Sequence, residues 1–313
     1  MAKEFGMVFP GQGSQSVGML AGLAEAFPQV TETFQEASDA LGLDLWRLVQ
    51  DGPPETLNLT QNTQPAMLAA GVSVWRLWRD QGGPEPALMA GHSLGEYSAL
   101  VAAGALNFSD AVTLVAERGR LMQEAVPEGT GAMAAIIGLD DDRVRELCAQ
   151  AAGSEVVEAV NFNSPGQVVV AGDKSAVERL VALAKPAGAK RALPLPVSVP
   201  SHCALMKPAA GQLARRLAEV EIRPPAIPVI HNATVSEAVD AADIRSLLAQ
   251  QLHSPVRWVE TIRAMAARGA GCLIEAGPGK VLTGLCKRID RSLSGMAVYD
   301  PASLEAAMET INA

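Results

Sequence analysis

The chain has 313 residues, 49% of them hydrophobic and 19% charged, with 34 acidic against 25 basic side chains and a formal net charge of −9. That length suits one large domain carrying a smaller insertion, and the composition suits a sizeable core built mainly from Ala, Val, Leu and Met. The acidic balance argues against nucleic acid as a partner, because phosphate binding needs a basic surface, but a small acidic ligand needs only one local cation.

Along the chain, Phe5 to Pro10 reads as a buried strand that enters the glycine turn Gly11-Gln12-Gly13. Helical segments follow at roughly 16–26 and 27–41. A long helix is predicted over 64–80, with Pro65 in its first turn. A brief apolar strand over 86–90 runs directly into Gly91-His92-Ser93-Leu94-Gly95, and a helix continues to about Ala103. Ser109 is predicted to cap the next helix, which stops before Pro127.

The middle of the chain changes character. Strands at 131–139, 156–161 and 167–171, helices at 140–151 and 174–185, and an extended segment at 190–199 give the order β-α-β-β-α-β in about 70 residues, the ferredoxin-like pattern. Helices at 208–220, 242–251 and 255–268 and strands at 229–233 and 272–276 complete the alternation, which predicts a mostly parallel sheet. The expected architecture is therefore an α/β large domain from 1–128 and 198–313, with a ferredoxin-like subdomain at 129–197 inserted into it.

The four cysteines, Cys148, Cys203, Cys272 and Cys286, show no CxxC spacing, and a chain this long does not need disulfides to fold. Residues 1–10 do not have the pattern of a signal peptide. No run approaches the roughly 18 apolar residues of a membrane span. A reducing cytoplasm and no membrane partner are the corresponding expectations.

The strongest chemical signal is Gly91-His92-Ser93-Leu94-Gly95, a G-x-S-x-G between a strand and a helix. Flanking glycines let the chain turn sharply, so the serine projects from the end of the sheet, and the amides opening the next helix point to where an oxyanion would form. A serine hydroxyl needs a base, and the chain offers only His92, His202, His231 and His253. His92 adjoins the serine and suits a supporting hydrogen bond. His202 and His231 both stand at strand ends; the strand-to-helix setting of Pro200-Ser201-His202 favours His202, and His231 stays open as the alternative.

Arg118 lies on a predicted helix with Leu114, Val115, Leu121 and Met122 at three and four positions either side, so it faces the core. A buried guanidinium needs an anion. Either an internal carboxylate pairs with it, or it snorkels to the surface, or it clamps a substrate carboxylate in a dry pocket. Two glycine-rich stretches fail as nucleotide loops. Gly11-Gln12-Gly13 is followed next by Gly18, which breaks the dinucleotide spacing, and Ile274 and Val281 stand where a phosphate loop needs Gly and Ser or Thr. No cluster has metal-ligand spacing.

These residues also carry a resemblance. Phe9-Pro10-Gly11-Gln12-Gly13-Ser14-Gln15, Gly91-His92-Ser93-Leu94-Gly95-Glu96-Tyr97, Arg118-Gly119, Asn161-Phe162-Asn163-Ser164-Pro165-Gly166-Gln167, Pro200-Ser201-His202, Gln251-Leu252-His253-Ser254-Pro255-Val256-Arg257-Trp258 and Glu275-Ala276-Gly277-Pro278-Gly279 occur in that order. Together they resemble the malonyl-CoA:acyl carrier protein transacylase family, with motifs from residue 5 to about residue 290. The resemblance implies an α/β-hydrolase-like large domain with a ferredoxin-like subdomain, Ser93 acylated, and His202 as its base. It implies an oxyanion hole from the amides of Gln12 and Leu94, and Arg118 on the malonyl carboxylate. Gln251 would lie beside the dyad, and His92 joins these two around the substrate. The partners implied are malonyl-CoA and holo-acyl carrier protein, in a two-step exchange for fatty acid biosynthesis that needs no bound cofactor or metal. With no evident acidic third member, His202 is expected to be oriented by a backbone carbonyl near Gln251. The rival reading is a serine hydrolase acting on acyl thioesters, in which water takes the second step.

Overall fold

The computed structural model describes residues 4–197 and 199–313. Nine strands occur among them: β1 (Phe5–Phe9), β2 (Leu88–Gly91), β3 (Gly131–Ile137), β4 (Val157–Ser164), β5 (Gln167–Asp173), β6 (Arg191–Pro194), β7 (Val229–Ile230), β8 (Cys272–Ala276) and β9 (Ser294–Val298). Five form a parallel sheet in the order β7-β2-β1-β8-β9. All five residues of β1, Phe-Gly-Met-Val-Phe, are buried, as a parallel strand covered by helices on both faces requires. The chain adds β2 and β7 on one side of β1, and β8 and β9 on the other. The loops leaving the carboxyl ends of the paired parallel strands β1 and β2 therefore lie side by side at the end of the sheet where ligands usually bind in such folds.

The main core packs around the helix Thr60–Asp80, 21 residues and so about 31 Å long, which is buried along most of its length. It begins four residues before the predicted start, so Pro65 stands inside the helix and not in its first turn. The neighbouring helix Phe108–Glu124 crosses it very closely. A Cβ on Gly119 would come within 2.7 Å of the Gln61 Cα and the Thr60 carbonyl oxygen, so only glycine allows this approach. That contact sets Arg118 against Gln64. Asn107, not Ser109, caps the helix: its side chain accepts from the amides of Ser109 and Asp110, an arrangement worth about 1 kcal/mol. Two short helices, Leu45–Asp51 and Pro54–Leu57, lie in a stretch the sequence pattern left unassigned, as do β9 and the final helix Pro301–Asn312.

The other four strands form an antiparallel sheet in the order β4-β5-β3-β6. Helices Asp141–Ala152 and Lys174–Ala184 cover one face through Val144, Leu147, Val177 and Leu180, the ferredoxin-like arrangement. The other face gathers Met133, Val160, Val169 and Ala171 around Cys203, directly beside His202. Backbone bonds from Phe162 to the Val256 carbonyl (3.0 Å) and from Val256 to the Val160 carbonyl (2.8 Å) tie β4 to the large domain. The small sheet is thus fastened to both segments that frame the site. The expected domain boundary at 198 falls on Ser198, which lies outside the described residues, as do residues 1–3.

Candidate active site

Ser93 follows β2 by two residues, with φ of +51°. For a residue with a side chain this left-handed conformation costs on the order of 1–3 kcal/mol, and it persists only where the surroundings enforce it. The turn is tight enough to exclude larger residues at its flanks. A Cβ on Gly91 would lie 1.8 Å from the Gly95 carbonyl carbon, and one on Gly95 would lie 2.1 Å from the Phe9 carbonyl oxygen. The serine elbow is thereby pressed against the end of β1, and Ser93 is left half-buried at the head of helix Gly95–Ala102.

His202 reaches Ser93 from the segment after β6. Its Nε2 is 2.7 Å from the Ser93 Oγ, and its Nδ1 is 2.8 Å from the Gln251 carbonyl oxygen. A carbonyl only accepts, so Nδ1 carries the proton, and the bare Nε2 accepts from the serine hydroxyl. His202 also has positive φ (+68°), and its backbone amide donates to the Leu252 carbonyl at 2.9 Å. Burial, followed by the charge of Arg118, pushes the imidazole pKa down to about 3, well below the free value of 6.5. The ring is therefore neutral at physiological pH. His231, the alternative base, lies elsewhere: its Nδ1 donates to Glu96 at 2.8 Å.

Arg118 is 1% exposed and has no carboxylate partner among the described residues. Its Nη1 donates to Gln64 Oε1 at 2.8 Å, and its Nη2 donates to Gln251 Oε1 at 2.9 Å. The guanidinium carbon stands 5.5 Å from the centre of the Tyr97 ring, and Nε has no hydrogen-bond partner among the described residues. The internal salt bridge weighed from the sequence is likewise absent among them. Two neutral amides hold the cation, and burial lowers its pKa from the ordinary arginine value. Gln251 connects the whole group: its Oε1 accepts from Arg118, its Nε2 donates to the Ser93 carbonyl at 3.0 Å, and its own carbonyl orients His202.

His92 turns away from the pair. Its Nε2 donates to Asn163 Oδ1 at 2.8 Å, and its ring meets Trp258 edge-on at 5.3 Å, so it braces the elbow against β4. Gln12 lies in the exposed loop after β1, with its side chain 3.4 Å from the Thr60 hydroxyl. Neither its amide nor that of Leu94 is committed to a hydrogen bond among the described residues. Gln64 carried no distinguishing signal in the sequence, since it ends the polar run Thr60-Gln61-Asn62-Thr63-Gln64 that opens its helix. All four cysteines are free and buried, and no described helix is long and apolar enough to cross a membrane.

Fold and site together define an α/β protein with a serine–histidine pair at the carboxyl end of a parallel sheet, beside a buried arginine. The family model described as "Acyl transferase domain" matches residues 7–304. The chain is 61% identical over 305 residues to the malonyl CoA-acyl carrier protein transacylase of Salmonella typhimurium, covering 97% of this chain and 99% of that protein. A solved acyl carrier protein S-malonyltransferase from Vibrio cholerae matches with a TM-score of 0.95 at 62% identity, covering 97% of this chain and 100% of that one. A structure of a type II PKS acyl-carrier protein in complex with its malonyl-transacylase matches with a TM-score of 0.97 at 60% identity, over 98% of this chain and 99% of that one. The chain belongs to the acyl transferase domain family.

Proposed function

We propose that this protein moves a malonyl group from malonyl-CoA to the phosphopantetheine thiol of holo-acyl carrier protein, through an ester on Ser93, supplying fatty acid biosynthesis. The observation that carries this reading is a buried guanidinium without a carboxylate, joined by one glutamine to both members of a serine–histidine pair. A malonyl carboxylate supplies the anion that Arg118 lacks, while its thioester lies toward Ser93. The names carried by the relatives agree with this chemistry.

In the first half-reaction, His202 Nε2 takes the hydroxyl proton as Ser93 Oγ attacks the thioester carbonyl. The amides of Leu94 and Gln12 stabilise the resulting oxyanion, each such donor being worth about 3 kcal/mol. The carbon–sulfur bond then breaks, and coenzyme A leaves as the thiol with the proton from His202. In the second half-reaction, His202 takes the proton of the carrier thiol as its sulfur attacks the ester; the carbon–oxygen bond then breaks, and Ser93 leaves as the hydroxyl with the proton from His202. Transfer and hydrolysis share the first half-reaction and differ only in the acceptor of the second, a thiol or water.

The test is the fate of the malonyl group with and without holo-acyl carrier protein. The expected outcome is a stable malonyl-enzyme alone and rapid appearance of malonyl-carrier on adding the acceptor. Free malonate forming at the same rate in both cases would make the protein a hydrolase.

A further inference from the structure

The chemistry above leaves one buried polar cluster unused, formed by Glu96, His231 and Asn232, which are 0%, 1% and 0% exposed. Asn232 Oδ1 accepts from the backbone amide of Ser93 at 2.7 Å, and its Nδ2 donates to the Gly91 carbonyl at 2.6 Å. One carboxamide therefore spans the elbow, gripping the serine and the residue two before it. The Asn232 backbone amide donates to Glu96 Oε2 at 2.8 Å, and His231 Nδ1 donates to Glu96 Oε1 at 2.8 Å. Glu96 stands in the first turn of the helix that Ser93 heads, while His231 and Asn232 directly follow β7.

We propose that Asn232 is a positioning residue for the nucleophile: its carboxamide, aligned by the Glu96 carboxylate, holds Ser93 in its left-handed conformation with Oγ on His202. The inference rests on Ser93 being the acylated residue. The Ser93 backbone is strained, so relaxation of φ would swing Oγ away from Nε2, and a fixed partner on the amide opposes that motion. Binding the Ser93 amide also takes it out of the oxyanion site, leaving the Leu94 amide as the elbow's free donor. Finally, a buried carboxylate held, among the described residues, by only a histidine and a backbone amide is costly to fold around, which favours a role in fixing geometry. Only asparagine, at this length, both accepts from Ser93 and donates to Gly91; aspartate loses the donor and leucine loses both.

The experiment compares the wild type, Asn232→Ala and Asn232→Asp in two reactions of Ser93: labelling by a fluorophosphonate probe and single-turnover acylation by malonyl-CoA. Asn232→Ala is expected to slow both by about 10²-fold, the penalty of a roughly 1 Å misplacement, with the malonyl-to-acetyl ratio unchanged. Asn232→Asp supplies a readout that loss of stability cannot mimic. The groups facing position 232 are Glu96, His231, His202 across Ser93, and Arg257, whose backbone amide is 3.4 Å from the Asn232 carbonyl. Burial and the Glu96 charge raise a new carboxyl's pKa, so its acid form, which can donate to Gly91, returns as pH falls. The labelling rate relative to wild type is expected to rise about tenfold from about pH 8 to about pH 5.5. Labelling of Asn232→Ala within about threefold of wild type, or a flat relative profile for Asn232→Asp, overturns the proposal; if the alanine variant does not fold, the aspartate profile decides. The probe reads Ser93 without malonyl-CoA, so failure of malonyl transfer in the wild type leaves this test standing. Normal labelling of the variants removes the clamp alone.

Discussion

Replacing Arg118 by alanine separates the carboxylate contact from everything else the site does. The side chain offers its cation to two neutral amides and to no carboxylate, so a substrate carboxylate gains its full charge-assisted partner without displacing an internal ion pair. Losing one member of such a buried pair costs about 2–5 kcal/mol, which at 1.36 kcal/mol per decade is about 30- to 5,000-fold in kcat/KM for malonyl-CoA. Acetyl-CoA has no carboxylate and escapes that loss. Both substrates share a second effect, because Gln251 loses its tether to Arg118 while still donating to the Ser93 carbonyl. The ratio of the two kcat/KM values cancels this shared factor. Stability changes less than the contacts suggest: leaving the Gln64 and Gln251 oxygens without a donor costs about 1–3 kcal/mol each, but a desolvated cation is removed at the same time. Arg118→Lys is expected to be poor as well, since a point charge cannot hold both oxygens of a carboxylate in one plane. A malonyl-to-acetyl ratio within about threefold of wild type in Arg118→Ala refutes the reasoning, because it leaves no room for even the smallest such contact.

Three further outcomes follow from the same geometry. His202→Ala should slow acylation of Ser93 by about 10²–10⁴-fold in single-turnover mass measurements, and near-normal acylation would remove His202 as the base. Because burial and then Arg118 hold the folded His202 pKa at about 3, below the free value of 6.5, the neutral ring contributes stability above pH 6.5 that is lost as pH falls toward 3. Acylation rates should accordingly show no inflection near pH 6.5, and a fall centred there contradicts the assignment. An acidic carrier protein would need a local basic patch to dock on this acidic chain. Charge reversal at exposed Lys280, Lys287 and Arg291 should weaken carrier transfer and flatten its salt dependence while sparing fluorophosphonate labelling, and unchanged salt dependence moves the patch elsewhere.

How much of this was legible in the sequence depended on whether the decisive contact was local. Continuous apolar runs marked β1 and β2, and a shorter one, Cys272-Leu273-Ile274, marked β8, because strands buried on both faces cannot alternate. The elbow was equally plain, since its glycines, serine and helix start adjoin one another. β9 escaped notice as a partly buried edge strand, Ser-Gly-Met-Ala-Val, with little apolar signal. Arg118 stood out because a charge on an apolar helical stripe is visible from spacing alone, whereas Gln64, 54 positions away, pairs with it only through the Gly119 crossing. The choice between His202 and His231 could not be made locally either. Both end apolar segments, and what separates them is a serine 109 positions from one and a glutamate 135 positions from the other. Asn232 gave a faint cue, a polar pair directly after a strand, but its partners at Ser93 and Gly91 appear only once β7 lies beside β2.

The central claim is that one serine carries the malonyl group between two thiols. Mixing the protein with malonyl-CoA, quenching in acid and mapping peptides by mass tests it most directly. A single malonyl adduct is expected, located on Ser93, absent from Ser93→Ala and discharged by holo-acyl carrier protein. Transfer to the carrier that proceeds undiminished in Ser93→Ala, or an adduct on any other residue that is chemically competent for transfer, contradicts it.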